Sequence, residues 1–146
     1  MRTVVQRVSS ASVTVDGNVI GKINKGFLVL LGIKSTDTKQ DVDYMVKKVI
    51  NLRIFRDEND KMNLPLKDVN GELLIVSQFT LYGDASGGNR PSFIDAAKPD
   101  IAIPLYEYFV SECRKKINLV QTGEFGADMK VELLNDGPVT IIMESK

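Results

Sequence analysis

The run Phe27-Leu28-Val29-Leu30-Leu31 constrains the fold of this chain more than any other stretch. It is continuously apolar, too short for a buried helix, and contains β-branched and aromatic residues, so it reads as a strand buried on both faces. The surrounding apolar stretch, Gly26 to Ile33, is also too short to span a bilayer. Such a strand must lie inside a layered domain. The 146 residues are enough for one domain, residues 1–146, with a sizeable core.

Strand patterns cluster at both ends. Val4 to Val8 and Ser12 to Asp16 read as strands, and Asp16-Gly17 marks a tight turn into a return strand over Val19 to Ile23. Leu52 to Phe55, Leu73 to Phe79, Met129 to Leu134 and Val139 to Met143 complete the set. Two helical stripes lie between them. Val42, Met45, Val46, Val49 and Ile50 recur at spacings of three and four, with Asp37 or Thr38 as the cap. Ile103, Tyr106, Val110, Cys113 and Ile117 mark the second helix, with Pro104 expected in its first turn because an interior proline breaks a helix. Strands grouped at both ends with two helices between them give an α+β domain.

Composition narrows the chemistry. Nineteen basic and nineteen acidic residues cancel, so global charge announces no nucleic-acid partner. There is no histidine, which removes the usual proton shuttle near neutral pH. The single Cys113 cannot form an internal disulfide or hold a metal cluster alone. No Asp/Glu cluster suggests magnesium, and neither metal nor cofactor is expected. The N-terminal residues lack the apolar core of a signal peptide, and a cytoplasmic location is expected.

Two segments carry polar groups where a buried strand would stay apolar. Ser77-Gln78-Phe79-Thr80-Leu81 closes an apolar strand with two hydroxyls and an amide. Continued as a strand, it sends Ser77 and Phe79 to one face and Gln78 and Thr80 to the other. It reads equally as an oxyanion-binding strand end or as a half-exposed strand facing water. Ser77 or Thr80 as a nucleophile would need an adjacent base, and no neighbour in sequence supplies one. Asn135-Asp136-Gly137-Pro138-Val139-Thr140 reads as a turn between two strands. It is either a plain turn or a rigid backbone wall without side chains. Arg90 reads as a phosphate ligand or a surface residue. Lys47, Lys48, Arg53 and Arg56 read as a basic patch or a solvated face. Cys113, Tyr106 and Phe109 read as core.

These two segments occur in order with Gly88-Asn89-Arg90-Pro91-Ser92-Phe93, with Thr122-Gly123-x-Phe125-Gly126-Ala127-Asp128-Met129, and with the opening Val5-Gln6-Arg7-Val8-Ser9-x-Ala11-Ser12-Val13. Together they resemble the D-aminoacyl-tRNA deacylases from first strand to last. The resemblance implies hydrolysis of the ester joining a D-amino acid, or mischarged glycine, to the 3′-terminal ribose of tRNA. It implies a homodimer in which a cis Gly137-Pro138 bond reaches into the partner's pocket and excludes L side chains. Ser77 and the backbone of Phe79 would line the ester, Gln78 would support the pocket, and the ribose 2′-hydroxyl would assist attack. Thr80 as a covalent nucleophile is the alternative mechanism. A non-catalytic RNA- or small-ligand-binding module is the rival function. The expected whole is an α+β fold with a mixed, largely antiparallel, barrel-like sheet and two main helices. It would act on the aminoacyl-tRNA 3′ end as a homodimer, with no membrane or DNA partner.

Overall fold

The structure, a computed structural model, describes all residues Met1–Lys146. Eight strands and two helices follow in the order β1 (Arg2–Val15), β2 (Asn18–Ile23), β3 (Gly26–Gly32), α1 (Lys39–Asn51), β4 (Phe55–Arg56), β5 (Met62–Leu64), β6 (Glu72–Ser77), α2 (Pro99–Arg114), β7 (Val120–Thr122) and β8 (Lys130–Glu144). The expected α+β class is what forms. The main sheet runs β2-β1-β3-β6-β7, and β8 lies along the other side of β1. It is mixed: β1 pairs antiparallel with β2, β3 and β8, while β3–β6 and β6–β7 are parallel.

The two faces of the apolar run serve different cores. Phe27, Val29 and Leu31 join the large cluster under α1 and α2, where Phe27 stacks on Phe55 at 5.1 Å. Leu28 faces the other way, into a smaller cluster with Val8, Val13, Ile23, Leu74 and Val76. Each such buried side chain contributes about 1.5–3 kcal/mol. Leu30 departs from the pattern: it shares the second face yet is only half-buried. The second cluster is enclosed because β2 bends towards β7. Gly21 makes this approach possible, since a Cβ there would lie 2.6 Å from the Thr122 carbonyl oxygen. The sheet thereby becomes nearly closed and barrel-like.

The buried stripe of α1 is the one read from spacing, Val42, Met45, Val46, Val49 and Ile50. At its start, the Thr38 N–H donates to Asp41 Oδ2 at 2.8 Å; desolvation, the largest single influence, pushes the Asp41 carboxyl up, but this bond together with those from Ser145 and the Thr38 hydroxyl and with the N-terminal charge holds it below its usual range. Other boundaries differ from the sequence reading. Val4–Val8 and Ser12–Val15 are parts of one long strand, β1, and Asp16 already belongs to the turn that follows. The second helix begins at Pro99, so Pro104 lies beyond the first turn. Pro104 is exposed, and the carbonyl of Asp100 that it leaves without a helical donor belongs to an exposed residue.

The largest correction concerns the last strand. The expected turn at Asn135–Thr140 is a bulge within one continuous β8. Gln6 pairs with Thr140 and Val8 with Asn135, so four residues, Asp136 to Val139, lie opposite Arg7 alone. Three extra residues are an odd number, which reverses the side each following residue faces. Val131 and Leu133 accordingly pack on the smaller core, whereas Val139, Ile141 and Met143 pack on the larger one.

Candidate active site

Parallel pairing carries β6 to Ser77, opposite Leu31. There the strand stops. Gln78 still donates its N–H to the Leu31 carbonyl at 2.8 Å, but its backbone (φ −146, ψ 80) turns the chain into a 3-10 turn over Phe79–Tyr82. The strand alternation expected to continue through Phe79 and Thr80 therefore fails. Gln78 and Thr80 are held together by a bond from the Gln78 amide Nε2 to Thr80 Oγ1. The first hydrogen bond of the turn runs from the Leu81 N–H to the Gln78 carbonyl, at 3.2 Å. The N–H groups of Phe79 and Thr80 precede it and are not consumed by it.

A cavity of about 310 Å³ opens at this strand end. Val76 to Phe79 form one wall, and Phe125 to Met129 with Val131 form the other. The structure thus brings Ser77, Gln78 and Phe79 together, with Thr80 tied to Gln78. No Asp, Glu or Lys pairs with either hydroxyl, and no three Asp, Glu or Cys side chains gather as a metal site. The Gln78 amide acts on Thr80 as a donor, which cannot take up a proton. Its hydroxyl and free N–H groups can donate hydrogen bonds to oxygen atoms. A larger cleft of about 420 Å³ between α1 and α2 is lined by charged side chains such as Lys47, Lys67 and Glu112, but by no strand-end hydroxyls.

Gly137 and Pro138 stand apart from this cavity in their own chain. Ser77 aligns across the sheet with Leu31, Thr3 and Met143. Three strand spacings and five residues along β8 then separate it from Pro138, roughly 20 Å. The Gly137–Pro138 bond is cis, as the resemblance implied, and both residues are exposed. The bulge is braced from within. Arg7, 3% exposed, donates from Nε to the Asp136 carbonyl at 3.1 Å and from Nη1 to the Ile54 carbonyl at 2.7 Å. Asn135 Oδ1 accepts from the Val139 N–H at 3.2 Å.

Arg90 is exposed on the loop that Asp84 and Ser92 close with two 2.8 Å backbone bonds, and it does not line the cavity. That loop does reach the site through Phe93, whose ring meets Phe79 edge-on at 5.2 Å. The four basic residues read as a basic patch or a solvated face have separate surroundings, Lys47 lining the cleft between α1 and α2. Arg53 bonds Asn63, Arg56 pairs with Asp60, and Lys48 lies over the Tyr44 ring. Cys113 is buried and its thiol is pushed up to about 12, chiefly by that burial. Sequence reasoning missed Phe125 to Met129 as cavity wall and Arg7 as the brace of the bulge. The first had a signal in its glycine-rich motif. A single arginine in a strand gave none.

A nearly closed mixed sheet flanked by two helices thus carries, at one strand end, a cavity lined by hydroxyl and amide groups. Residues 4–144 match the family model of D-Tyr-tRNA(Tyr) deacylase, so the chain belongs to that family and is an enzyme. A D-aminoacyl-tRNA deacylase of Clostridioides difficile is 63% identical, over 99% of this chain and 97% of that one. One of Thermosipho africanus is 60% identical, over 100% of this chain and 98% of its own. A solved structure named c-Myc DNA Unwinding Element Binding Protein superposes with a TM-score of 0.94 at 45% identity, covering 100% of this chain and 99% of that one. A structure described as a probable eukaryotic D-amino acid tRNA deacylase shares the fold, with a TM-score of 0.87 at 17% identity and 98% of each chain covered. No helix is long and apolar enough to cross a membrane.

Proposed function

We propose that this protein hydrolyses the ester of D-aminoacyl-tRNA, and of mischarged glycyl-tRNA, acting in the cytoplasm as a homodimer. The observation that carries this reading is the cavity at the end of β6. It offers Ser77 and the Phe79 N–H to an ester, and its one carboxylate, Asp128, is exposed and paired with Lys130 rather than with either hydroxyl. Water adds to the carbonyl carbon, the bond to the ribose oxygen breaks, and the water proton ends on that oxygen. The charge that develops on the carbonyl oxygen is met by preorganised donors, each typically worth a hundredfold or more in rate. The ribose 2′-hydroxyl beside the ester serves as the proton carrier that the protein lacks. Gln78 holds Thr80, and Thr80 takes no covalent part.

Chirality is judged by Gly137-Pro138 of a second copy. Its own chain keeps this segment far from Ser77, so only another subunit can bring it near. The sheet supports that arrangement. Val76, Leu30, Val4 and Ile142 align across four strands on one face. Val76 lines the cavity, Leu30 and Val4 are half-buried, and Ile142 is 67% exposed. A second copy covering this row would lie against the cavity mouth. A rigid backbone wall there rejects an L side chain by clash, which discriminates more strongly than a lost contact.

Single-turnover hydrolysis of D-Tyr-tRNA and L-Tyr-tRNA tests the reading. Fast loss of the D ester with the L ester spared is expected. Equal rates on the two would overturn the chirality claim. Binding of both without turnover would favour a nucleic-acid-binding module, the reading suggested by the name of the 45% identical structure.

A further inference from the structure

A second groove adjoins the ester cavity and has no part in the chemistry above. It lies between α2 and β7, with a volume of about 290 Å³, and Tyr106, Glu107, Ser111, Arg114, Gly123 and Phe125 are among its lining residues. Phe125 is the shared wall, since it also lines the cavity at Ser77. The helical residues recur along one face of α2 from Ile103 to Arg114, about 16 Å of helix. The groove therefore leads away from the reacting ester along the molecule.

Its chemistry is mixed in a particular way. The Phe125 ring is half-buried and is held edge-on by the buried Tyr106 ring at 6.0 Å and 73°. The Tyr106 hydroxyl is already committed, donating to the Ile75 carbonyl at 2.7 Å. Arg114 is exposed and steadied by one bond, from Nη2 to the Val120 carbonyl at 3.3 Å. It forms no ion pair. A guanidinium has five N–H donors, so most of its fork stays available for a phosphate. Glu107 is the one carboxylate in the lining, and it can accept a bond from an exocyclic base amine but repels phosphate.

We propose that this groove seats the nucleotide immediately 5′ of the esterified terminal nucleoside, with Arg114 on its phosphodiester and the base against Phe125. The inference rests on the proposed deacylation. An aromatic wall beside a free arginine, continuous with the ester site, is the arrangement that single-stranded RNA fits. Glu107 favours a base that carries an exocyclic amine. Arg114 is a binding residue and touches no reacting atom.

The test compares D-Tyr-tRNA with the D-tyrosyl ester of adenosine, which lacks the preceding nucleotide. Arg114→Gln should lower kcat/KM on the tRNA by about tenfold, through KM, as expected for a lost charged hydrogen bond. It should leave the nucleoside ester unchanged. The salt dependence of kcat/KM on tRNA should flatten by about 0.7 in log–log slope, the share of one single-strand phosphate contact. Arg114→Lys should recover part of the loss. Ser111→Glu, on the exposed face of α2, should act in the same direction as Arg114→Gln. Unchanged tRNA kinetics in both Arg114→Gln and Ser111→Glu would overturn the inference, as would equal losses on the two substrates. If the unaltered protein hydrolyses neither ester, the deacylase reading fails and this one falls with it, a result distinct from a selective failure of the variants.

Discussion

Cys113 illustrates how burial removes a reactive group from use. It sits in the large core on α2, and desolvation with the nearby Glu112 charge pushes its thiol up to about 12. In the unfolded chain a thiol titrates near 8.5. Between these values the unfolded state releases a proton that the folded state keeps, so stability falls as pH rises. Tyr82, also pushed up to about 12 by burial, adds the same sign above about 10. Urea unfolding followed from pH 7 to 10 should show a decline beginning near pH 8.5, at no more than about 1.4 kcal/mol per pH unit for one group. Cys113→Val should abolish the part below pH 10. A decline of equal size in that variant would show that the thiol is not its source.

At the scale of elements, the bulge in β8 is where sequence and structure part most instructively. The apolar run of β3 and the stripe of α1 were legible because one buried pattern fills each element. The glycine and proline at 137–138 read as a turn between two strands, yet β1 is long enough to pair with the chain on both sides of them. Pairing partners far along the chain leave no local signal. The same holds at Ser77, where the strand stops because the backbone turns at Gln78, and for Phe125 to Met129, which reach the cavity only through the β6–β7 pairing. Of the candidate site, Ser77 to Thr80 were legible as polar residues ending an apolar run; the opposite wall was not. Within the bulge, Gly137 has φ +132, and a Cβ there would lie 2.7 Å from Val139 Cγ2 and 3.1 Å from Arg7 Nη2. Gly137→Ala should therefore cost roughly 1–3 kcal/mol in stability. Because the added methyl presses on the Arg7 brace, it should also narrow the gap between D and L rates. A variant with unaltered denaturation midpoint and unaltered selectivity would show that the bulge tolerates a side chain and does not judge chirality.

At the scale of the whole molecule, the sheet is covered unequally. The larger core lies beneath both helices, while on the other face β2 and β7 close over only part of the sheet. Leu30, Val4 and Ile142 form the uncovered remainder, and their row ends at the ester cavity through Val76. An apolar row joined to a polar site suits a self-complementary interface, in which each copy covers the other's row under two-fold symmetry. In the proposed dimer the same symmetry would bring two Gly137-Pro138 bulges to two cavities. A single charge in the row should then separate assembly from folding. Ile142 is 67% exposed in the single chain, so Ile142→Glu should leave the fold and its circular dichroism intact. In a dimer the same carboxylate would be buried without a partner, which is costly. Sedimentation should find the unaltered protein as a dimer and Ile142→Glu as a folded monomer. That monomer should hydrolyse D-Tyr-tRNA poorly and lose its discrimination against L-Tyr-tRNA. A folded monomer that still rejects the L ester would place chiral selection within one subunit and remove the bulge from the site. An Ile142→Glu protein that remains a dimer would instead move the interface to another face.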